Sequence, residues 1–154
     1  MLVSEILRIK GSTLFAASPD MSVSDAVHSM AANDIGSLVV MDKGQLVGML
    51  TFRELIKVFN ERGNELKALA VGEIMERDTL TADPAMDVQM LRKNMLERHA
   101  RYIPVMDGGT LMGVVSFHDV AKAVFEEQSF ENRMLKSYIK NWPDEEETTA
   151  QPLN

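Results

Sequence analysis

Cysteine is absent from this chain of 154 residues. Disulfide staples and thiolate metal sites are therefore excluded, and nothing in the composition points to secretion. Histidine is scarce. His28, His99 and His118 share no metal-ligand spacing, so surface roles are expected for them and no metal. No apolar run approaches the ~20 residues that span a bilayer. The opening segment, Met1-Leu2-Val3-Ser4-Glu5-Ile6-Leu7-Arg8, lacks the basic start and long apolar stretch of a signal peptide. The chain is accordingly read as cytoplasmic, with no membrane partner. Basic charge is also in short supply. Sixteen Lys and Arg stand against 23 Asp and Glu, for a net charge of −7. Duplex binding is driven by a basic surface that releases counterions, so no DNA partner is expected. The short acidic run Asp144, Glu145, Glu146 and Glu147 supplies part of that negative charge.

What is present is an ordinary globular mixture, 45% hydrophobic and 25% charged, enough for a packed core. Its arrangement is not ordinary. Sliding the chain by 65 residues aligns residues 19–59 with 84–124 without a gap. The identities include Pro19/Pro84, Met21/Met86, Val23/Val88, Met30/Met95, Val40/Val105, Gly44/Gly109, Leu46/Leu111, Gly48/Gly113 and Phe52/Phe117. Upstream, Val3-Ser4-Glu5-Ile6-Leu7 resembles Val71-Gly72-Glu73-Ile74-Met75 at a shift of 68, so the connection that follows differs by three residues. Internal duplication is the first organising fact of the chain.

Each repeat reads alike. A short helix (2–8 and 67–76) leads into an extended stretch (13–17 and 79–82). An amphipathic helix follows, with Val23, Ala26, Val27 and Met30 on one face of the first and Val88, Leu91 and Met95 on the other. Ser22 with Asp25 marks a helix start. Apolar runs at 38–41 and 46–50 flank the turn residues Asp42-Lys43-Gly44-Gln45, and runs at 103–106 and 111–115 flank Asp107-Gly108-Gly109-Thr110, so each pair reads as a β-hairpin. A closing helix begins at Thr51 or Ser116. The fold class is therefore α+β, two helix-β-α-β-β-α repeats. A unit of ~60 residues is marginal alone, and a sheet face left uncovered by its own helices must be buried elsewhere. The two repeats are expected to pack about a pseudo-twofold axis, at 1–62 and 63–125, joined by Glu61-Arg62-Gly63-Asn64-Glu65. A helical extension (126–142) continues the last helix through Phe125, Phe130, Met134, Leu135 and Ile139 and stops near Trp142-Pro143. Its apolar stripe is expected to pack on the body or on a second subunit. Residues 143–154 read as an acidic disordered tail. The 12 methionines read as adaptable core filling.

One pattern carries chemistry. Gly48-Met49-Leu50-Thr51-Phe52-Arg53-Glu54 and Gly113-Val114-Val115-Ser116-Phe117-His118-Asp119 share a glycine, two apolar residues, a hydroxyl, two variable residues and an acid, where a strand meets a helix. Taken singly, Thr-x-x-Glu and Ser-x-x-Asp are capping boxes that satisfy the amides of a helix start. That reading is compatible with function. A hydroxyl, a carboxylate and exposed amides at one polar corner suit ribose hydroxyls and phosphate, and an apolar hairpin edge suits a purine.

This doubled signature, with the strand Arg101-Tyr102-Ile103-Pro104-Val105-Met106-Asp107, resembles a tandem pair of cystathionine-β-synthase (CBS) domains over roughly residues 1–125. The resemblance implies a regulatory module that binds an adenosine ligand, such as AMP, ADP, ATP, NAD(H) or S-adenosylmethionine, in the cleft between repeats. It implies Asp119 and Glu54 as ribose acids, Asp119 the surer. Thr51, Arg53, Ser116 and His118 then lie near phosphate. Gly36, Ser37 and Leu38 form one adenine edge and Tyr102, Ile103 and Pro104 the other, with Ser12 and Thr79 as further adenine contacts. Arg101 matches a phosphate-gripping arginine, and Lys10 is a further phosphate candidate. Two departures make unequal sites: Glu54 stands where aspartate is commoner, and Gly36 stands where the second repeat has Arg101. The resemblance further implies a homodimer and an unidentified target protein. Two alternatives remain: a protein- or RNA-interaction module with an unused cleft, and, with less support, an enzyme acting on the nucleotide, for which no nucleophile–base–orienter set is visible in the sequence.

Overall fold

A hydroxyl or carboxylate that takes the amides of a new helical turn fixes where each long helix begins. Ser22 accepts from the Asp25 amide at 3.0 Å to start α2 (Val23–Asn33), and Asp87 accepts from the Gln89 amide to start α5 (Val88–Arg98). Both helices close on a left-handed residue, Asp34 and His99. The structure is a computed structural model that describes residues 1–11, 13–63 and 65–141. The remaining elements are α1 (Val3–Lys10), β1 (Ala16–Ala17), β2 (Ser37–Asp42), β3 (Gln45–Thr51), α3 (Phe52–Arg62), a 3-10 turn (Glu65–Ala68), α4 (Val71–Ile74), β4 (Tyr102–Asp107), β5 (Thr110–Ser116) and α6 (Phe117–Lys140).

The first repeat forms a three-stranded sheet in the order β1-β2-β3, and the second a β4-β5 hairpin. The extended stretch expected at 79–82 is reduced to Ala82, which bridges Val105 in parallel as Ala17 pairs with Val40. The two hairpins share a register irregularity, after Val40 and after Val105. The expected leading helix at 67–76 divides into the 3-10 turn and α4. Leu69 and Ala70 straighten between them, because Ala70 bridges Ser22 and the Leu69 carbonyl accepts from the Val23 amide. The linker expected at 61–65 is shorter, since α3 runs to Arg62. Asn64, Trp142, Pro143 and the acidic tail lie outside the described residues.

The leading helices are exchanged. Val3 and Ile6 of α1 are buried in one core with Val88, Leu91, Met95, Ile103, Val105, Val115 and Val120 of the second repeat. Val71 and Met75, from the start of the second repeat, are buried with Ala26, Met30, Leu38, Val40 and Leu50 of the first. Matching backbone bonds fasten both: Val3 to Met86 and Ser4 to Pro84, and Val71 to Met21 and Gly72 to Pro19. The duplicated glycines of β3 and β5 admit these helices. A Cβ on Gly48 would lie 2.9 Å from Met75 Sδ, and one on Gly113 would lie 2.9 Å from Leu7 Cδ2. Each repeat thus buries its neighbour's helix, which is how two marginal units share enough apolar surface to be stable. α6 runs beyond the body, and Phe125, Phe130, Met134, Leu135, Tyr138 and Ile139 on it are exposed.

Candidate functional site

Both acid-bearing corners fold as capping boxes. Thr51 Oγ1 accepts from the Arg53 amide at 3.2 Å, while Glu54 Oε1 accepts from the Thr51 amide at 2.7 Å and from its hydroxyl at 2.8 Å. Ser116 Oγ accepts from the Asp119 amide at 3.0 Å, and Asp119 Oδ2 accepts from the Ser116 amide at 2.9 Å. The second corner has an additional partner. Lys10 Nζ donates to Asp119 Oδ2 at 2.7 Å and to the Val114 carbonyl at 2.9 Å. Burial opposes ionisation of Asp119. The bond and charge of Lys10, with the Ser116 donors, outweigh it and hold the carboxyl below its ordinary value of 3.8.

The exchange of helices places each corner opposite the other repeat, and two clefts result. The first, about 820 Å³, lies between Thr51, Arg53 and Glu54 on one side and Thr79, Leu80, His99, Ala100, Arg101 and Tyr102 on the other. The second, about 560 Å³, lies between Ser116 and His118 and the residues Lys10, Leu14, Phe15, Asp34, Ile35, Gly36 and Ser37. The 65-residue shift that aligns the repeats carries Leu14 to Thr79, Phe15 to Leu80, Asp34 to His99, Gly36 to Arg101 and Ser37 to Tyr102. The clefts are therefore pseudo-twofold copies. Each combines apolar wall with polar groups, the composition of a small-molecule site.

Eleven of the sixteen expected residues line the clefts. Thr51, Arg53, Glu54 and Thr79 line the first cleft; Lys10, Gly36, Ser37, Ser116 and His118 line the second; Arg101 and Tyr102 line both. Leu38, Ile103 and Pro104 are buried, so their side chains belong to the core and leave only backbone to present at an adenine edge. Asp119 is absent from the wall of the second cleft, whereas its partners Lys10 and Ser116 are in it. Ser12 lies outside the described residues.

Residues that sequence reasoning passed over also line the clefts. Phe117 borders both and Phe52 the first, and their identity across the repeat, one residue past the hydroxyl, was the available signal. Glu76, Asp78 and Arg98 add charge to the first cleft, with Arg98 3.4 Å from the Asp78 carboxylate. Nothing in their spacing foretold this, because the fold brings them in from separate elements.

The asymmetry at the pseudo-axis has a steric basis. A Cβ on Gly36 would overlap the Tyr102 hydroxyl and lie 2.5 Å from Phe52 Cε2. The small pair Gly36-Ser37 thus receives the large Tyr102 from the equivalent place in the other repeat, and the Tyr102 ring stands between the clefts. Among the described residues no group of three or more His, Asp and Glu could hold a metal ion, and no helix is long and apolar enough to cross a membrane.

Comparison with known proteins agrees with this architecture. The CBS domain family matches at residues 3–61 and again at 71–126. The mitochondrial CBS domain-containing protein CBSX3 of Arabidopsis thaliana is 31% identical over 147 residues, covering 90% of this chain and 71% of that protein. Its location shows that similar chains are not confined to the cytoplasm. The crystal structure of the CBS-domain protein ATU1752 from Agrobacterium tumefaciens superposes with a TM-score of 0.77 at 29% identity, covering 80% of this chain and 98% of that one. The CBS domain pair of protein MJ0100, solved with 5′-methylthioadenosine and S-adenosyl-L-methionine, superposes at 0.73 with 23% identity, covering 82% of this chain and 98% of that one, a likeness of fold. With both repeats matched in register and the same architecture in solved relatives, the chain belongs to the CBS domain family.

Proposed function

We propose that this chain is a stand-alone regulatory CBS pair that binds an adenosine nucleotide between its repeats and passes the binding state to a target protein. The observation that carries this reading is the pair of pseudo-twofold clefts, each joining the acid corner of one repeat to the strand edge of the other. A ligand spanning such a cleft touches both repeats. It therefore favours one relative arrangement and shifts the population a partner meets. In the first cleft Glu54 accepts from ribose, Arg53 and Arg101 take phosphate, and the purine lies along Thr79, Leu80 and Tyr102. In the second, Asp119 is the ribose acid, Ser116 and His118 lie near phosphate, and the purine lies along Leu14, Phe15 and Ser37. The neighbour solved with two adenosine compounds supports the ligand class.

We read the chain as a regulator and not an enzyme, because each acid is engaged in its own helix cap. A homodimer is part of the same reading, with the apolar stripe of α6 available for contact with a second subunit. The test is a thermal-shift and calorimetric screen against AMP, ADP, ATP, NAD, NADH and S-adenosylmethionine. A ligand at 100 times its dissociation constant adds ~2.7 kcal/mol for one site. Glu54→Ala and Asp119→Ala should each remove one site's response, while lost capping costs about 1 kcal/mol. A ligand response unchanged in both variants would refute the assignment of the acids.

A further inference from the structure

One chemical difference between the two clefts is the lysine on Asp119. α1 spans Val3–Lys10, whereas its counterpart α4 stops at Ile74. The three residues by which the connections differ let α1 continue a full turn longer. The last residue of that turn is Lys10, which reaches the second corner. Position 78, which the 68-residue shift matches to Lys10, is Asp78, whose carboxylate faces Arg98. The Glu54 carboxylate is bonded within its own capping box, to the Thr51 amide and hydroxyl. A cation is thus built onto one ribose acid of the pair.

Its setting makes the pair sensitive to what enters. The Asp119 side chain is 20% exposed, while that of Lys10 is 39% exposed and open to solvent. Lys10 lines the cleft, and its ammonium stands 2.7 Å from the Asp119 carboxylate. Ribose hydroxyls that bond Asp119 weaken its hold on Lys10. An ammonium released from its carboxylate is free to take another anion. A phosphate on the same ligand supplies that anion, in a wall that also holds Arg101 and His118. A nucleoside without phosphate supplies none.

Resting on the nucleotide reading above, we propose that Lys10 is the specificity-determining residue of the second cleft: it covers the ribose acid in the free protein and selects adenosine ligands that carry phosphate over those that do not. Selection works by exchange of partners, the ribose taking the carboxylate while the phosphate takes the ammonium. Asp119 ionises more readily than an ordinary aspartate, which is the state the exchange requires.

The test is isothermal titration of AMP and of adenosine into the full chain carrying Glu54→Ala, which isolates the second cleft, with Lys10 unchanged, as Lys10→Met and as Lys10→Arg. With Lys10 present, AMP should bind more tightly than adenosine. Lys10→Met should weaken AMP about tenfold or more, the loss of one charge-assisted contact, and leave adenosine equal or tighter. Lys10→Arg should restore the preference. Equal weakening of both ligands in Lys10→Met would mark a structural lysine and overturn the proposal, as would an unchanged AMP-to-adenosine ratio. Binding of neither ligand with Lys10 present, and of no other adenine nucleotide, would overturn the nucleotide reading itself.

Discussion

Placing a methyl group on Gly36 tests whether the two repeats interlock at their pseudo-axis. Gly36 does not have a positive φ, so alanine suits its backbone. By backbone entropy alone Gly36→Ala should stabilise the fold by about 0.4–1 kcal/mol. The opposing effect is steric. The new Cβ would overlap the Tyr102 hydroxyl, with Tyr102 Cζ at 2.8 Å and Phe52 Cε2 at 2.5 Å. Overpacking of this kind costs about 1–3 kcal/mol. The ends of both rings can swing, so the lower half of that range applies, about 1–2 kcal/mol, and a net loss of roughly 0–1.6 kcal/mol is expected. For a chain of this size that is a fall in Tm of at most about 6 °C. Because the Tyr102 ring borders both clefts, its displacement should also weaken adenosine ligands. The assay is urea denaturation of Gly36→Ala alone and in a Tyr102→Ala background. With the tyrosine gone only Phe52 resists the methyl, so the substitution should cost about 1 kcal/mol less there, a coupling typical of residues in contact. Equal costs in the two backgrounds would refute the contact.

The exchanged helix predicts that Ile6→Ala costs about 2–5 kcal/mol and exposes amides of β4 to hydrogen exchange before those of β2, because Ile6 is buried with the second repeat. Protection lost first from β2 would contradict the exchange. Gly48→Ala should be worse than Gly113→Ala. Its Cβ meets the Glu76 carbonyl at 2.7 Å, which is fixed backbone, whereas at Gly113 the nearest atom ends the mobile Leu7 side chain; chemical denaturation of the two variants ranks them. The depressed pKa of Asp119 makes its contribution to stability complete above the ordinary carboxylate value of 3.8 and progressively lost as pH falls from there through the lower folded value. Urea midpoints measured down an acid series should therefore fall less steeply in Asp119→Asn than in the unaltered chain, and parallel curves would count against the Lys10–Asp119 pair.

The duplication fixed most of the architecture from residue identities alone. Strands announce themselves through local periodicity and turn chemistry. Lys43-Gly44, both at positive φ in the first hairpin, is an example. The capping boxes at Thr51 and Ser116 were legible for the same reason, since a cap is made by residues three apart. The outline of the site followed, because the acid, hydroxyl and glycine of each corner are close in sequence. Other features were not local. α1 packs on the repeat it does not belong to, and no pattern within residues 3–10 distinguishes a helix that folds back from one that crosses over. Leu38, Ile103 and Pro104 have buried side chains, since three consecutive residues of β2 and of β4 are covered on both faces, which their sequence does not announce. The Lys10–Asp119 contact joins residues 109 apart, and Tyr102 meets Gly36 across the pseudo-axis. Local chemistry thus determined the elements and their caps, while burial shared between distant segments decided which side chains face each other across the two clefts.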